Sequence, residues 1–142
     1  MKYLLLKDNK ALGMAGIKLS GEDHFLHENN SWLRALEFIL QENAYLKTRL
    51  SHALDSNIGM SFVEKAEHYQ TVFIQNDEHI KDLLKDIRQH QELLKNNKHD
   101  AEARNEKKLL RKQHMLRNEM EAFEKNFSEL KNEFNKYLVS LL

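Results

Sequence analysis

Apolar side chains recur along this chain in alternating steps of four and three residues. One clear example runs from Phe62 to Leu94. Of the ten positions with this spacing, only Asn76 and His90 are polar. Such alternation keeps one face of a helix apolar over many turns, as in a heptad repeat. It therefore predicts a long helix that buries one stripe. The positions are Phe62, Ala66, Tyr69, Phe73, Asn76, Ile80, Leu83, Ile87, His90 and Leu94.

Two further segments follow the same spacing. The N-terminal one contains Phe25, Asn29, Trp32, Leu36, Ile39, Asn43, Leu46, Leu50 and Ala53. The C-terminal one contains Leu109, Gln113, Leu116, Met120, Phe123, Phe127, Leu130, Phe134, Tyr137 and Leu141. Three such helices can bury their stripes against one another. The expected fold is an all-α, elongated three-helix antiparallel bundle (up-down-up) with coiled-coil-like packing and an irregular N-terminal extension.

Capping residues and glycine mark the ends of these helices. Ser61 and Glu64 form a capping box just after Gly59, which predicts a turn there. The asparagine pair in the run KNNKHD favours the end of the second helix, and Asp100 is suited to cap the third. We expect helices over about residues 21–57, 61–97 and 100–140.

The start of the first helix has two interpretations. Ser20 with Asp23 repeats the capping pattern and places the start near Gly21, whereas the run NNS at 29–31 could kink or break the helix. The earlier start is preferred because it gives three helices of similar length. Residues 1–19 then form an N-terminal extension without a clear period, and residues 20–142 form the bundle.

Polar positions of the stripes are expected to meet in layers. A turn near residue 59 places Asn43 level with Asn76, and a turn near residue 98 places Met120 beside Asn76 and a residue near 107 beside His90. A buried asparagine pair can fix the register of two helices at some expense in packing energy. We interpret Asn43 and Asn76 as such a core polar layer.

Several apolar residues lie outside the stripes, among them Leu33, Val72 and Leu110. Three helices cannot cover all of them, so part of this set should be exposed in a monomer. Self-association is the simplest explanation, because long helices readily present self-complementary faces. The expected partner is a second copy of the chain or another helical protein.

Composition excludes several classes of function. Lysine and arginine number 22, as do aspartate and glutamate, so no general attraction to nucleic acid is expected. The absence of cysteine excludes disulfides and thiolate chemistry and is typical of a reducing compartment. No segment approaches the roughly 20 apolar residues of a membrane span or the about 7–15 of a signal peptide core. We expect a cytoplasmic protein that does not bind membranes.

The run EDHFLHE, residues 22–28, is the clearest candidate for chemistry. On a helix, His24 shares a face with His27 and Glu28, a spacing that suits zinc or iron. An antiparallel bundle would bring His90 to the same end. The Glu-x-x-His motifs of carboxylate-bridged metal bundles do not occur in the sequence, so metal binding is the second hypothesis and no cofactor is expected.

The third helix is basic in its first half and acidic in its second. Its basic patch consists of Arg104, Lys107, Lys108, Arg111 and Lys112. Such a stripe can neutralise phosphates, but no aromatic residue is interleaved with it, and nucleic-acid binding is the third hypothesis. Alternatively, the two charged halves could orient two copies antiparallel.

Nothing in the sequence indicates catalysis. It contains no Gly-x-Ser-x-Gly, no phosphate-binding glycine loop and no His-Glu-x-x-His. We therefore expect a non-enzymatic structural or protein-interaction bundle that self-associates and has no small-molecule substrate. The periodic pattern predicts architecture and does not predict the biological process.

Overall fold

The computed structural model describes residues 14–56, 59–97 and 103–141, and side chains over 23–56, 59–96 and 106–141. These residues form three helices: α1 (Met14–Ser56), α2 (Met60–Asn97) and α3 (Ala103–Ser140). At about 1.5 Å per residue, each helix is about 57–65 Å long. The expected all-α three-helix class is confirmed.

Helices α1 and α2 run antiparallel. Asn30, early in the described part of α1, accepts a hydrogen bond from Gln91 near the C-terminal end of α2. Asn43, farther along α1, donates to Asp77 in the middle of α2. Partners thus move backward along α2 as the chain advances along α1, as expected for a turn near Gly59.

Helices α2 and α3 are also antiparallel, but their relative level differs from the expected one. His90 contacts Gln113 rather than a residue near 107, and the rings of His79 and Phe123 lie 4.8 Å apart. Helix α3 begins at Ala103, after the predicted start at 100. Because the connection is longer, the predicted levels of α3, including Met120 beside Asn76, are displaced by more than one helical turn.

Helices α1 and α3 run parallel and are joined by ion pairs. Glu28 binds Arg117 at 2.7 Å, and Glu42 binds Lys131 at 2.9 Å. The partners advance together along both helices. This completes the up-down-up arrangement.

The core follows the apolar stripes predicted from the sequence. Leu36 of α1, Phe73 of α2 and Phe134 of α3 are fully buried. Removing each large apolar side chain from water contributes about 1.5–3 kcal/mol, so these stripes hold the helices together. The buried cluster comprises Trp32, Leu36, Ile39, Leu46, Leu50, Phe62, Ala66, Tyr69, Phe73, Ile80, Leu83, Leu84, Ile87, Leu116, Met120, Phe123, Phe127 and Phe134.

Aromatic rings pack α2 against α3 in the half of the bundle nearest Gly59. The ring centroids of Tyr69 and Phe134 lie 4.9 Å apart, and those of Phe73 and Phe134 lie 5.1 Å apart. Both pairs are edge-to-face, the arrangement that aromatic quadrupoles favour. The aromatic residues of the two stripes are therefore core residues, as the pattern predicts, except that Tyr137 is only partly buried against the core.

Helix α1 begins earlier than the predicted start near residue 21. It is continuous from Met14 through 29–31, so neither Ser20 with Asp23 nor the run NNS interrupts it. A glycine inside a helix costs about 1 kcal/mol relative to alanine, whereas a proline costs about 3 kcal/mol. Glycine is therefore tolerated inside α1, and the capping pattern at Ser20 does not start a new helix. Residues 14–19 of the predicted extension belong to α1, and residues 1–13 lie outside the described residues.

Helix α2 begins one residue before the predicted cap. The backbone N–H of Val63 donates to the carbonyl oxygen of Gly59 at 3.0 Å, so Gly59 occupies the N-cap position. Ser61 then lies within the first turn. In the described helices, no segment is long and apolar enough to cross a membrane.

Candidate functional site

A layer of polar side chains crosses the core where the C-terminal part of α2 meets α1 and α3. We call it the Gln113 layer; it consists of Glu28, Asn29, His90, Gln113 and Arg117. Nε2 of the fully buried Gln113 donates to Asn29 Oδ1 at 2.9 Å and to Glu28 Oε1 at 2.8 Å. Its Oε1 lies 2.8 Å from Nε2 of His90. One amide group thus links three helices.

Glu28 fixes the direction of the hydrogen bonds in the Gln113 layer. An ionised carboxylate only accepts, so the end of the Gln113 amide that faces Glu28 must be its NH₂ group. The amide oxygen therefore faces His90, and Nε2 of His90 must carry the proton that is donated to it. The neutral His90 ring consequently has its lone pair on Nδ1.

Arg117 holds Glu28 in its ionised form. Its Nε and Nη2 atoms donate to the two carboxylate oxygens at 2.7 and 2.8 Å, a bidentate geometry that strengthens the pair. Burial alone would raise the pKa of Glu28, but the hydrogen bonds from Arg117 and Gln113 and the nearby positive charge bring that pKa below its usual value. Glu28 therefore remains an acceptor at neutral pH.

His90 is held in its uncharged form. Burial lowers the pKa of His90 below its usual value, and the charge of Lys112 acts in the same direction, against the opposing effects of the Gln113 hydrogen bond and of Asp86. Within the described residues, Nδ1 of His90 and Nδ2 of Asn29 are buried without a hydrogen-bond partner. A proton added at Nδ1 would therefore bring both a charge and an unpaired donor into the core.

A second polar contact ties the middle of α1 to α2. Nδ2 of the fully buried Asn43 donates to the Phe73 carbonyl oxygen at 2.7 Å and to Asp77 Oδ1 at 2.8 Å. Lys47 forms an ion pair with the other oxygen of Asp77. Burial alone would raise the pKa of Asp77, but the hydrogen bonds from Lys47 and Asn43 lower it below its usual value.

The partner of Asn43 differs from the predicted one. Asn76 lies at the expected level, since it is flanked by Phe73 and Asp77, but Nδ2 of Asn76 has no hydrogen-bond partner among the described residues. A carboxylate is a stronger acceptor than an amide oxygen, which explains why Asn43 binds Asp77. The core polar layer is thus formed by Asn43 with Asp77 and Lys47.

The candidate metal ligands are not brought together as a ligand set. His24 and His27 are exposed, both oxygens of Glu28 are bound by Arg117, and His90 binds Gln113 inside the core. Over the residues with described side chains, no group of three or more His, Cys, Asp or Glu residues could hold a metal ion. Glu28 and His90 belong instead to one hydrogen-bonded layer.

Contacts within the bundle neutralise part of the predicted basic patch. Lys112 forms an ion pair with Asp86 of α2 at 3.0 Å. The side chain of Arg104 lies outside the described residues. The remaining members of the patch are exposed, and these are Lys107, Lys108 and Arg111. Fewer positive charges are therefore free for phosphate than the sequence pattern indicates.

The solvent side of α1 carries a second stripe with the same alternation of three and four residues. We call it the outer face of α1. All eight of its residues are exposed: His27, Ser31, Arg34, Phe38, Gln41, Tyr45, Thr48 and His52. Phe38 and Tyr45 are 59% and 63% exposed, which is unusual for large aromatic side chains.

The outer face of α1 differs from those of the other helices in charge. Only Arg34 is charged among its eight residues. The stripe at the same positions of α2, two residues after each core position, has four charged residues in His68, Thr71, Gln75, Glu78, Asp82, Lys85, Gln89 and Glu92. That of α3 also has four, in Arg111, Met115, Asn118, Ala122, Lys125, Glu129, Asn132 and Lys136. The outer face of α1 therefore carries the fewest charges of the three.

Sequence reasoning did not single out Phe38, Tyr45 or Asp77. It predicted that part of the apolar set outside the stripes would be exposed, and Leu110 of that set is indeed exposed, whereas Leu33 and Val72 are half-buried. The signal for Phe38 and Tyr45 was available, because their stripe has the same spacing as the core stripes. No such signal existed for Asp77, because the sequence does not distinguish an aspartate that binds Asn43 from an aspartate on the surface.

Comparisons of the chain with protein-family models, with curated proteins and with solved structures gave no significant match.

Proposed function

We propose that this chain is a non-enzymatic helical bundle that acts as a structural or protein-interaction module, and that it binds a second copy of itself through the outer face of α1. The observation that carries the proposal is this exposed stripe, which has a single charged residue and has Phe38 and Tyr45 at its centre. The absence of cysteine favours a reducing compartment, and we place the module in the cytoplasm.

Desolvation favours α1 over the other helices as the contact surface. Burying a charged side chain without a partner is unfavourable, and protein interfaces are depleted of charge at their centres. A helix that docked on α2 would have to desolvate four charged residues of its stripe, whereas one on α1 would meet only Arg34. Arg34 lies one turn from Phe38, where an arginine is common at interfaces.

Tyr45 has the features of an anchor residue. The guanidinium carbon of Arg49 lies 5.8 Å from the centre of its ring, and Arg49 itself donates a hydrogen bond to Asn135 of α3. Contacts of this kind restrict the ring before binding, so less conformational entropy is lost when a partner covers it. Restricted aromatic side chains of this type often dominate binding energy.

The spacing of the outer face suits a second copy. Phe38 and Tyr45 are seven residues apart, or two turns of about 5.4 Å each. A two-fold axis between them would place Phe38 of one copy beside Tyr45 of the other, with the two α1 helices antiparallel in coiled-coil packing. The two-fold axis repeats this Phe38–Tyr45 contact, so the two copies meet through two aromatic contacts.

The test is the molar mass of the full chain by light scattering across a range of concentrations. We expect a dimer for the wild type and a monomer for the variant Phe38→Glu/Tyr45→Glu, because both side chains are exposed and neither supports the core. Far-ultraviolet circular dichroism should be unchanged in the variant.

The matched control is Ile74→Glu, which changes a 46% exposed apolar residue on the solvent side of α2. This variant should associate like the wild type. A wild-type chain that stays monomeric at every concentration, or a loss of association equal in both variants, would contradict the proposal.

A further inference from the structure

We infer that the Gln113 layer is an acid-sensitive latch: protonation of His90 breaks the layer and opens the end of the bundle where α2 terminates. The inference is independent of the proposed self-association, because the latch lies in the core and the outer face of α1 is not part of it.

The latch depends on a single side chain. Gln113 is fully buried and bridges Glu28 and Asn29 of α1 to His90 of α2 through contacts of 2.8 to 2.9 Å. Loss of the His90 contact removes the partner of the buried amide oxygen of Gln113, which is unfavourable in a core. The contacts of the Gln113 amide should therefore be lost together.

His90 is the group in this layer that can change charge near neutral pH. Its Nε2–H is already used by Gln113, so a second proton must go to Nδ1, which is buried without a partner among the described residues. The resulting cation is 99% buried, since only 1% of His90 is exposed. Neutral histidine fits the core, and imidazolium does not.

Among the described side chains, the charged groups near His90 are either already paired or cationic. On α1, both oxygens of Glu28 are bound by Arg117 and one of them also by Gln113. On α2, Asp86 is paired with Lys112. On α3, Lys112 and Arg117 are themselves cations and would repel a charged ring. Among the described residues of this end, the exposed histidines are His24, His27 and His114.

The position of the layer makes a local opening feasible. His90 lies two turns before the end of α2 at Asn97, whereas the aromatic packing around Phe73 and Phe134 lies in the half of the bundle nearest Gly59. Helix ends open at lower free energy than the middle of a core. Opening can therefore separate the C-terminal turns of α2 and leave the rest of the bundle packed.

The single tryptophan of the chain reports on this event. Trp32 lies one turn after Glu28, and only 8% of it is exposed. We expect its fluorescence emission in the 142-residue chain to shift to longer wavelength as the pH is lowered from 7.5 to 5, while far-ultraviolet circular dichroism retains most of its helical signal. The opening constant should rise by up to about tenfold per pH unit, the slope for uptake of one proton.

The decisive variant is His90→Gln, whose amide can still donate to Gln113 but cannot titrate. It should show no emission shift over this pH range. The matched control His24→Gln/His27→Gln removes two exposed histidines from the same end and should keep the wild-type shift. A constant wild-type emission, or an identical shift in His90→Gln, would overturn the inference.

A second measurement does not require any variant to fold. Hydrogen exchange of the wild type, corrected for the intrinsic pH dependence of exchange, should show lost protection at pH 5.5 in the last turns of α2 and not around Phe73. Uniform loss along the three helices, or equal protection at pH 7.5 and 5.5, would show that no latch exists.

Discussion

Gln113 and Asn43 stand at positions where an apolar side chain would be expected to pack. Both are fully buried, and each donates to an acidic side chain on another helix, Gln113 to Glu28 and Asn43 to Asp77. Two helices packed only through apolar stripes can shift by one heptad and still bury apolar residues. A buried hydrogen-bond donor prevents this shift, because it must stay level with its acceptor. These two residues therefore specify the levels at which the helices pack.

Asn43 and Asn76 should respond differently to alanine substitution. Asn43→Ala removes two hydrogen bonds and creates a cavity, and we expect a loss of about 2–3 kcal/mol in the free energy of unfolding. Asn76→Ala removes a buried Nδ2 that has no partner among the described residues, so it should cost less than about 1 kcal/mol. Urea denaturation of both variants measures the difference in the free energy of unfolding. Equal losses would show that the hydrogen bonds of Asn43 do not stabilise the bundle.

Helix ends are set jointly by local capping and by the packing of the whole element. Helix α2 begins directly after Gly59, whose carbonyl oxygen accepts the first helical hydrogen bond from Val63. A β-carbon placed on Gly59 would meet nothing within 4 Å. The space for a capping side chain therefore exists at this position, and the chain does not use it.

Gly59→Ser should stabilise the bundle by about 0.5–1 kcal/mol. A serine hydroxyl can accept a hydrogen bond from an unpaired backbone N–H in the first turn of α2, and the substitution also reduces the entropy of the unfolded chain. Thermal unfolding should show a midpoint a few degrees higher. The control Gly59→Ala lacks the hydroxyl and should gain less; a gain equal to that of serine would mean that capping is not the cause.

The charged groups of the whole bundle predict how its stability depends on pH. The pKa of His90 lies below its usual value, so the unfolded chain takes up a proton first and stability falls as the pH drops below about 6.5. The pKa values of Glu28 and Asp77 also lie below their usual values, so their contribution is present above about pH 4.5 and is lost as the pH falls through their folded-state pKa values.

We therefore expect two acid phases in the free energy of unfolding, measured by urea denaturation between pH 8 and pH 3. His90→Gln should remove the phase near pH 6 and keep the lower one. Glu28→Gln/Asp77→Asn should flatten the lower phase and keep the upper one. This variant also leaves Arg117 and Lys47 without their partners, which lowers stability at every pH. The variants are therefore compared by the slope of the free energy of unfolding against pH. A single phase in every protein would contradict the assignment.

The location of the site was only partly predictable. His90, Gln113 and Asn29 each interrupt an apolar stripe and are visible in the sequence as polar positions. Whether these three residues meet depends on the length of the connection between α2 and α3. The predicted connection was too short by a few residues, so His90 was expected beside a residue near 107 instead of beside Gln113. Glu28 was considered as a metal ligand only under the second hypothesis, and its contact with Arg117 was not predicted, because Arg117 lies on another helix and sequence spacing cannot pair them.

The sequence by itself determined the number of helices, their class and the stripes that they bury, because the spacing of side chains around a helix is a local property of the chain. Tertiary structure alone decided the levels at which polar residues meet and which surface remains exposed. Those depend on the length of the connections and on the identity of each neighbour, which no single segment contains. Thus the stripes around Phe73 and Phe134 could be read directly, whereas the bridge from His90 through Gln113 to Glu28 exists only once three helices have packed.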